Sequence, residues 1–322
     1  MKFSHFVRRV FFHFIDNRLI RWFSRVYSDL LLKKIIKGTD LIPIRYDEKS
    51  FVNQATHPDV LKKDDQYFLT VSGYPFEIEH LENPFLFCSD DGICFKSLHD
   101  GPVDAYTGTG LSHFSDGDII YDDGRIVLYY RLCEMEKTPK TDDIFIKTYS
   151  EKNWSERKAV LSFQKDKCLS QSVVIINGHY EMYYVEMNQE WGSKLKRLKS
   201  DSYLFDSNIM DEVRINGMPE GRMLWHIDVV LDGEALMGLF ALSTAKGGVD
   251  CRLYYGYSKD FGYTWEIVEP IETSIHEKWI KRIYRSSMVK VGGLWNIYIS
   301  VCTPGDCWFV LLLEKQELSL LN

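Results

Sequence analysis

The chain has 322 residues, of which 45% are hydrophobic and 14% aromatic, and it carries a formal net charge of −7. This much apolar material excludes an intrinsically disordered chain, and the acidic balance argues against nucleic acid as a partner. The seven cysteines include no Cys-x-x-Cys pair, which indicates reduced thiols rather than a disulfide framework or a zinc site. No Gly-rich phosphate loop or metal cluster is visible, so we expect neither a cofactor nor a metal.

Residues 1–38 form a basic, amphipathic arm. They contain nine Lys or Arg and two Asp, so the arm carries +7 and the other 284 residues carry −14. Apolar residues such as Leu19, Trp22, Val26 and Leu30 recur at three- and four-residue spacing, which predicts an amphipathic helix or a pair of helices. Charged residues interrupt every 18-residue window, which excludes a transmembrane span.

A basic face opposite a Phe/Trp/Leu face is typical of helices that bind the surface of an anionic membrane. This interpretation favours a cytoplasmic protein bound peripherally to the inner face of the membrane. In the alternative interpretation, the arm packs on the rest of the chain or forms an oligomer contact.

Residues 39–322 contain one fifteen-residue pattern five times. The five copies are HPDVLKKDDQYFLTV from His57, DGDIIYDDGRIVLYY from Asp116, SQSVVIINGHYEMYY from Ser170, HIDVVLDGEALMGLF from His226 and RSSMVKVGGLWNIYI from Arg285. Each copy has a polar head, an apolar strand, a tight turn and a second apolar strand, which is the pattern of a β-hairpin. The copies start 59, 54, 56 and 59 residues apart. This period predicts an all-β, five-bladed β-propeller.

Two further segments fit this architecture. SKDFGYTW, residues 258–265, is similar to the Asp-box turn of many propellers, in which the carboxylate of Asp260 binds backbone amides and the Trp packs under the loop. The last hairpin is followed by too few residues for a complete blade. We therefore expect DLIPIRYD, residues 40–47, or its neighbour to add a strand there and close the ring.

The polar heads lie where the first strands of the blades converge on the central channel. Side chains two residues apart on a strand share a face, so the first and third residues of each head project together. The ring of heads contains four carboxylates, two histidines and an arginine, namely Asp59, Asp116, Asp118, Asp228, His57, His226 and Arg285. Converging carboxylates repel one another, which indicates a functional pocket. The alternative is that these side chains satisfy exposed backbone groups around a column of water.

Other residues lie at heights from which they can reach the same pocket. Arg131 and Glu186 follow the second and third hairpins, Trp225 precedes His226, and Glu82 lies in LENP. We regard Asp59, Asp116, Asp118 and Asp228 as the candidate catalytic residues. The candidate substrate-binding residues are His57, His226, Arg285, Arg131, Glu186 and Trp225.

Three segments, HPDV before KKDDQYFL, SVVIINGHYEMYYV and WHIDVVLDGEALM, resemble the repeats of the five-bladed glycosidase propellers. This superfamily includes glycoside hydrolase families 43, 32, 62, 68 and 130. The resemblance covers about residues 50–322 and implies action on furanosides, or phosphorolysis of mannosides. It also implies a carboxylate at the start of each of the first three blades, serving as nucleophile or base, transition-state stabiliser and general acid.

The sequence departs from that pattern at two of the three positions. His57 stands where family 43 has the Asp that acts as its general base. The position of the third-blade Glu corresponds to the region of Ser170, which contains no Glu and has Asp166 as the nearest acid. Asp116 or Asp118 matches the second-blade carboxylate. The cations His57, His226 and Arg285 can bind a phosphate, as family 130 phosphorylases do, or the diphosphate of an activated sugar.

Three functions follow as hypotheses, each with a sugar or glycan as partner. The first is a membrane-docked glycosyltransferase of cell-surface polysaccharide assembly, which uses a phosphate-activated donor; the resemblance implies a furanose sugar. The second is a furanosidase-type glycoside hydrolase or a glycoside phosphorylase, and the third is an inert glycan-binding propeller. The first explains the altered carboxylates, the cations and the basic arm together, so the sequence alone favours it.

Overall fold

The computed structural model describes residues 17–47, 52, 54–106, 111–188 and 192–320. Five β-sheets form the blades of a β-propeller, and a helix precedes them, which confirms the predicted fold. Helix α1 spans Asn17–Ile35, and the first 16 residues of the predicted arm lie outside the described residues.

The strands follow in chain order. Strands β1 (Ile42–Pro43) and β2 (Arg45–Tyr46) come directly after the helix. Blade 1 contains β3 (Ala55–Lys63), β4 (Gln66–Gly73), β5 (Asn83–Ser89) and β6 (Cys94–Ser97). Blade 2 contains β7 (His113–Asp122), β8 (Arg125–Glu134), β9 (Thr141–Ser150), β10 (Asn153–Trp154) and β11 (Lys158–Gln164). Blade 3 contains β12 (Leu169–Ile176), β13 (His179–Met187), β14 (Ser193–Ser200) and β15 (Ile209–Glu212).

The last two blades complete the series. Blade 4 contains β16 (Arg214–Asn216), β17 (Met223–Asp232), β18 (Ala235–Ser243), β19 (Arg252–Ser258) and β20 (Thr264–Pro270). Blade 5 contains β21 (Arg282–Ile283), β22 (Ser287–Val291), β23 (Leu294–Cys302) and β24 (Trp308–Gln316). Short 3₁₀ helices span Pro75–Glu77, Glu79–Leu81 and Glu277–Trp279.

The five predicted hairpins are the inner strand pairs of the five blades. In blade 3, for example, β12 and β13 pair antiparallel around Asn177 and Gly178, both of which have positive φ. Glycine and asparagine adopt this backbone conformation at little cost, so the turn residues fix where each hairpin folds back. The heads of the hairpins therefore meet at one end of the channel.

The core lies between adjacent blades. The Asp-box packs into it: Trp265 is fully buried, and its ring contacts the rings of Phe240 and Tyr183 edge-on. Asp260 Oδ1 accepts hydrogen bonds from Ser258 Oγ at 2.7 Å and from the backbone amide of Thr264 at 2.8 Å. The turn is thus structural, as the sequence predicts.

The ring is closed by the segment before the first blade. Strand β1 pairs antiparallel with β24, with Ile42 opposite Leu312. The next strand, β2, pairs in parallel with β6 of blade 1, with Arg45 opposite Cys94. This confirms the predicted closing strand and shows that one short segment ties the last blade to the first.

Helix α1 packs on the propeller with one face and exposes another. Ser24 and Ser28 are buried, and the rings of Phe23 and Tyr27 lie 6.1 and 6.2 Å from that of Phe76. Within the described part of the chain, no helix is long and apolar enough to cross a membrane. None of the seven cysteines, all of which lie in the described residues, forms a disulfide bond, as the sequence indicates.

Candidate functional site

A pocket of about 320 Å³ lies at the end of the channel where the hairpin heads meet. Its lining includes the histidines His57, His113 and His226, the acids Glu77 and Glu82, the arginines Arg131 and Arg282, and the aromatic residues Tyr74, Trp225, Tyr284 and Trp308. The pocket thus combines aromatic walls with ionisable groups, a composition typical of a site for a polar ligand.

A β-bulge at the start of the first three blades decides which head residues reach this pocket. The strand register shifts between Thr56 and Asp59 in blade 1, and equivalent shifts occur in blades 2 and 3. The first head residues there, His57, Asp116 and Ser170, have φ of 50° to 52°. A bulge re-aims the side chain of the extra residue. The heads consequently form two layers rather than the single ring expected from strand alternation.

The upper layer brings His57, Asp116 and His226 together. Asp116 Oδ1 lies 3.6 Å from His57 Nδ1 and 3.8 Å from His226 Nδ1, and it accepts no hydrogen bond among the described residues. Asp116 Oδ2 is held instead by Arg131, whose Nε and Nη2 both lie 2.8 Å away, and by the amide of Ser170 at 3.2 Å. Asp116 therefore presents one bound oxygen to Arg131 and one free oxygen to the two histidines.

The charge states of this layer follow from burial and from these neighbours. Burial alone raises the pKa of Asp116, but Arg131, His57 and His226 together hold that pKa well below its usual range. Burial lowers the pKa of His226 well below its ordinary value, and the nearby Asp116 only partly offsets this effect. At neutral pH the site accordingly contains an ionised Asp116 beside a neutral His226.

Glu82 brings a second carboxylate next to His57. It follows the short 3₁₀ helix between β4 and β5, and its Oε1 accepts a hydrogen bond from Ser115 Oγ at 2.5 Å. The same oxygen lies 3.2 Å from His57 Nδ1, and Oε2 lies 3.5 Å from His113 Nε2. His57 thus stands between the carboxylates of Glu82 and Asp116.

The lower layer links the blades to one another. Asp59 Oδ2 accepts a hydrogen bond from the amide of Ile119 at 2.5 Å, and Asp118 Oδ2 accepts one from the amide of Val173 at 2.9 Å. Two serines make equivalent bonds: Ser172 Oγ with the amide of Val229, and Ser287 Oγ with the amide of Val60. Each of these side chains accepts a hydrogen bond from a backbone amide of the next blade. This is the role expected if the heads satisfy exposed backbone groups.

Arg285 and Asp228 complete this lower layer. Arg285 Nη2 donates to Asp118 Oδ1 at 2.9 Å and to the carbonyl of Gln171 at 3.0 Å. Asp228 lies beside Asp59 and Ser287, yet neither of its carboxylate oxygens has hydrogen-bond geometry with any described residue. Burial, with the charge of Asp59 added, raises the pKa values of Asp118 and Asp228 well above the usual range, and Arg285 opposes this.

The other candidate residues divide between the pocket and its surroundings. Trp225 and Arg131 line the pocket, and Trp225 Nε1 donates to the hydroxyl of Tyr284 at 2.6 Å. Asp116 contacts three lining residues, His57, His226 and Arg131, but does not itself line the pocket. Arg285, Asp59, Asp118 and Asp228 do not line it either.

Glu186 does not line the pocket either. Its carboxylate forms an ion pair with Lys167 Nζ at 2.9 Å. Tyr284 and Ser115 line the pocket but are not among the site residues that the sequence predicts. Their only signal in the sequence is that they directly precede Arg285 and Asp116.

Comparison with known proteins places the fold. No protein-family model matches the sequence, and no curated protein matches it significantly. Among solved structures, the chain is similar to an N-acetylgalactosamine deacetylase from F. plautii in complex with blood group B trisaccharide, with a TM-score of 0.71 and 15% identity over 85% of this chain and 92% of that one. It is also similar to a thermostable family-43 glycoside hydrolase, with a TM-score of 0.64 and 13% identity over 85% and 93% of the chains.

A third similar structure is a family-43 endo-arabinanase from Bacillus licheniformis, with a TM-score of 0.57 and 15% identity over 84% and 95% of the chains. The chain therefore has the five-bladed propeller fold of the glycosidase superfamily that its repeats resemble. The expectation of a glycosyltransferase is wrong, because these similar structures are glycoside hydrolases and a glycan deacetylase. The basic arm favoured a transferase, but a membrane-binding segment would determine the location of a protein and not the bond that it cleaves or forms.

Proposed function

We propose that the chain is a hydrolase that acts on a sugar unit of a glycan bound in the pocket. The observation that carries this proposal is the pair of buried carboxylates, Asp116 and Glu82, which lie within 3.6 Å of the same nitrogen of His57 beside an aromatic-walled pocket. The proteins with this fold named above are described as acting on glycans, which supports the same class of substrate.

The aromatic walls suit a sugar ring. Tyr284 packs against Trp308 with ring centroids 5.1 Å apart, and the ring of Tyr74 lies 6.2 Å from that of Trp308. Apolar faces of sugar rings stack on such walls, while the ionisable groups bind hydroxyls. The volume of about 320 Å³ lies at the lower end of the usual range for small-molecule sites, so we expect one sugar unit to be enclosed.

Cleavage of a glycosidic bond is the first candidate reaction. It needs one ionised carboxylate and one carboxylic acid beside the scissile bond. Asp116 is the ionised group because Arg131 and the histidines stabilise its charge, and Glu82 is our candidate for the proton donor. In this proposal Asp116 and Glu82 together perform the chemistry of the acids that family 43 has at the positions of His57 and Ser170.

Removal of an N-acetyl group is the second candidate reaction. It is favoured by the His57–Asp116–His226 cluster, which has no counterpart in the carboxylate pattern of the glycosidases, and by the similarity to the F. plautii deacetylase. Hydrolysis of an amide needs an activated water and a polarised carbonyl rather than an acid beside a glycosidic oxygen.

One assay separates these reactions. The purified protein is incubated with aryl furanosides, aryl xylosides and aryl N-acetylhexosaminides, and released phenol and released acetate are measured separately, with and without inorganic phosphate. Phenol release that is independent of phosphate supports a glycoside hydrolase, and acetate release supports a deacetylase. Phenol release that requires phosphate identifies a phosphorylase and refutes the proposed hydrolase, and binding of sugars without either product identifies an inert binding propeller.

We also propose that α1 docks the protein on an anionic membrane surface, on the inner face if the protein is cytoplasmic. Leu19, Trp22, Val26 and Leu30 are 61, 65, 43 and 59% exposed and follow one stripe of the helix. Lys33 and Lys34 lie in its last turn. Basic side chains beside an exposed apolar stripe complement acidic lipids, whereas the rest of the chain is acidic.

Sedimentation with anionic vesicles at low salt tests this docking. The substitution Trp22→Glu is expected to release most of the protein into the supernatant. The matched control is Ile209→Glu, at an equally exposed isoleucine of blade 3, which should sediment like the unmodified protein. Absence of sedimentation by the unmodified protein, or equal loss with both variants, would refute the docking.

A further inference from the structure

Three clusters of metal-ligating side chains occur in the part of the chain that the structure describes. In the cluster of Asp59, Asp118 and Asp228, the guanidinium of Arg285 already supplies the positive charge. In the cluster around Glu77, the cations Arg282 and Lys281 do the same. Neither of these two clusters contains an imidazole.

The cluster of His57, Asp116 and His226 differs because it combines two imidazoles with a carboxylate, and several of its atoms have no partner among the described residues. Asp116 Oδ1, His57 Nε2 and both ring nitrogens of His226 are buried without a hydrogen bond among the described residues. Buried polar atoms are almost always paired, so several unpaired atoms within one cluster indicate a missing ligand. The three residues come from blades 1, 2 and 4, so the assembled ring brings them together.

From these unpaired atoms we infer that His57, Asp116 and His226 bind a divalent transition-metal ion, with Zn²⁺ as the first choice, at the floor of the pocket. This inference rests on the proposed hydrolase and deepens it. Two imidazoles and one carboxylate are a ligand set of catalytic zinc sites, which leave a coordination position open for water or substrate. The same set holds iron in other enzymes, so the metal preference is part of the test.

The distances fit a metal ion better than direct hydrogen bonds. One ligand atom of each residue lies within 4.8 Å of the others, and Asp116 Oδ1 lies 3.8 Å from His226 Nδ1. The second separation exceeds a normal hydrogen bond. It is close to the roughly 3.4 Å that separates two ligands of a tetrahedral zinc ion.

The surroundings hold these ligands in place. Arg131 fixes Oδ2 of Asp116 through two nitrogens at 2.8 Å, which leaves Oδ1 for the metal. Glu82 and Ser115 lie 3.2 and 3.3 Å from His57 Nδ1, and the ring of Tyr284 packs edge-on against that of His226 at 4.2 Å. Such contacts orient metal ligands and are as necessary as the ligands themselves. A metal ion here would lower the pKa of a bound water and so supply a nucleophile at neutral pH.

Metal binding is tested on the full chain after treatment with a chelator and dialysis. Zn²⁺ is titrated by calorimetry, and Co²⁺ is titrated by its visible absorption, which reports coordination directly. We expect one equivalent to bind with a dissociation constant in the micromolar range or tighter. His226→Ala and Asp116→Asn should each weaken binding at least about tenfold.

The matched control is His179→Ala, at a half-exposed histidine of β13 far from the channel, which should bind metal like the unmodified protein. Circular dichroism and thermal unfolding show whether each variant is folded, and an unfolded His226→Ala is replaced by His226→Gln. Failure of the unmodified protein to bind a stoichiometric ion, or equal affinity in the His226 and His179 variants, would overturn the metal site.

The outcome for the metal is distinct from that for the proposed function. Hydrolysis that persists in excess chelator, without stoichiometric binding, refutes the metal and leaves the hydrolase standing. Stoichiometric binding without any hydrolysis retains the metal site and refutes the hydrolase. Acetate release that is lost with chelator and restored by Zn²⁺ assigns the ion to deacetylation.

Discussion

Replacing Asp228 by Asn is expected to stabilise the protein at neutral pH. Asp228 is 1% exposed, neither of its oxygens has a hydrogen-bond donor among the described residues, and it lies beside Asp59. Burial raises its pKa in the folded state well above the ordinary value. An acid whose folded-state pKa is raised stabilises the fold below its unfolded pKa, and this stability is lost as the pH rises toward the folded pKa.

The size of the effect follows from that linkage. While Asp228 stays protonated in the folded state, the free energy of unfolding falls by about 1.4 kcal/mol for each pH unit above the unfolded pKa. Asparagine does not titrate, so the advantage of Asp228→Asn should grow by up to about 2.7 kcal/mol between pH 5 and pH 7. For a chain of this length the entropy of unfolding is about 0.7 kcal/mol per degree. The predicted gain in Tm over that range is therefore up to about 4 °C.

Thermal unfolding followed by circular dichroism at pH 5, 6 and 7 measures this gain. The matched control is Asp118→Asn, because Asp118 accepts bonds from Arg285 and from the amide of Val173. We expect this control to be less stable than Asp228→Asn at every pH, since one of the two carboxylate oxygens becomes an amide nitrogen, which cannot accept the bond from Arg285 or from Val173. A Tm of Asp228→Asn that is lower than that of the unmodified protein at pH 7, or a gain that shrinks with rising pH, would refute the reasoning.

Three further outcomes are expected. Asp116→Asn should lower kcat of the hydrolase by about two to four powers of ten while the protein stays folded, because the ionised carboxylate acts on the charge or the proton of the reaction; unchanged turnover would remove Asp116 from the mechanism. Trp225→Ala should raise KM at least about tenfold with little change in kcat, since the ring only binds the sugar; an equal loss in kcat would contradict that role. Gly262→Ala should lower Tm, because φ is +88° there and the new Cβ would lie 1.9 Å from the hydroxyl of Tyr183; the strain costs at least about 1 kcal/mol, and an unchanged Tm would contradict it.

The fold could be predicted because each blade contains a hairpin pattern that is recognisable in its own sequence. Turn residues such as Asn177–Gly178 fix a hairpin, and the repeat interval fixes the number of blades. The closing strand was also predictable, because an incomplete last sheet leaves an open edge that some other segment must cover. These signals depend on short stretches of sequence, so they can be recognised in a single sequence without an alignment.

The site was harder to predict, for two physical reasons. First, the bulge at His57 and Asp116 separates residues that strand alternation places on one face, so the binding groups could not be told from the groups that link the blades. Second, the histidines and carboxylate of the proposed metal site come from three separate blades and show no short ligand spacing. Glu82 lies in a loop between two strands, and the sequence pattern does not predict the path by which that loop brings Glu82 to the pocket.

The strand that closes the ring has a consequence for how the molecule folds. Ile42 pairs with Leu312, so nearly the whole chain lies between two partners of one hydrogen-bonded strand pair. Contacts of such long sequence separation form late and slowly. We therefore expect an open, C-shaped intermediate in which the blades exist but the channel is not yet sealed. In that intermediate His57 and Asp116 of the first two blades can already meet, whereas the hydroxyl of Ser287 on the last blade reaches the amide of Val60 only when the circle closes.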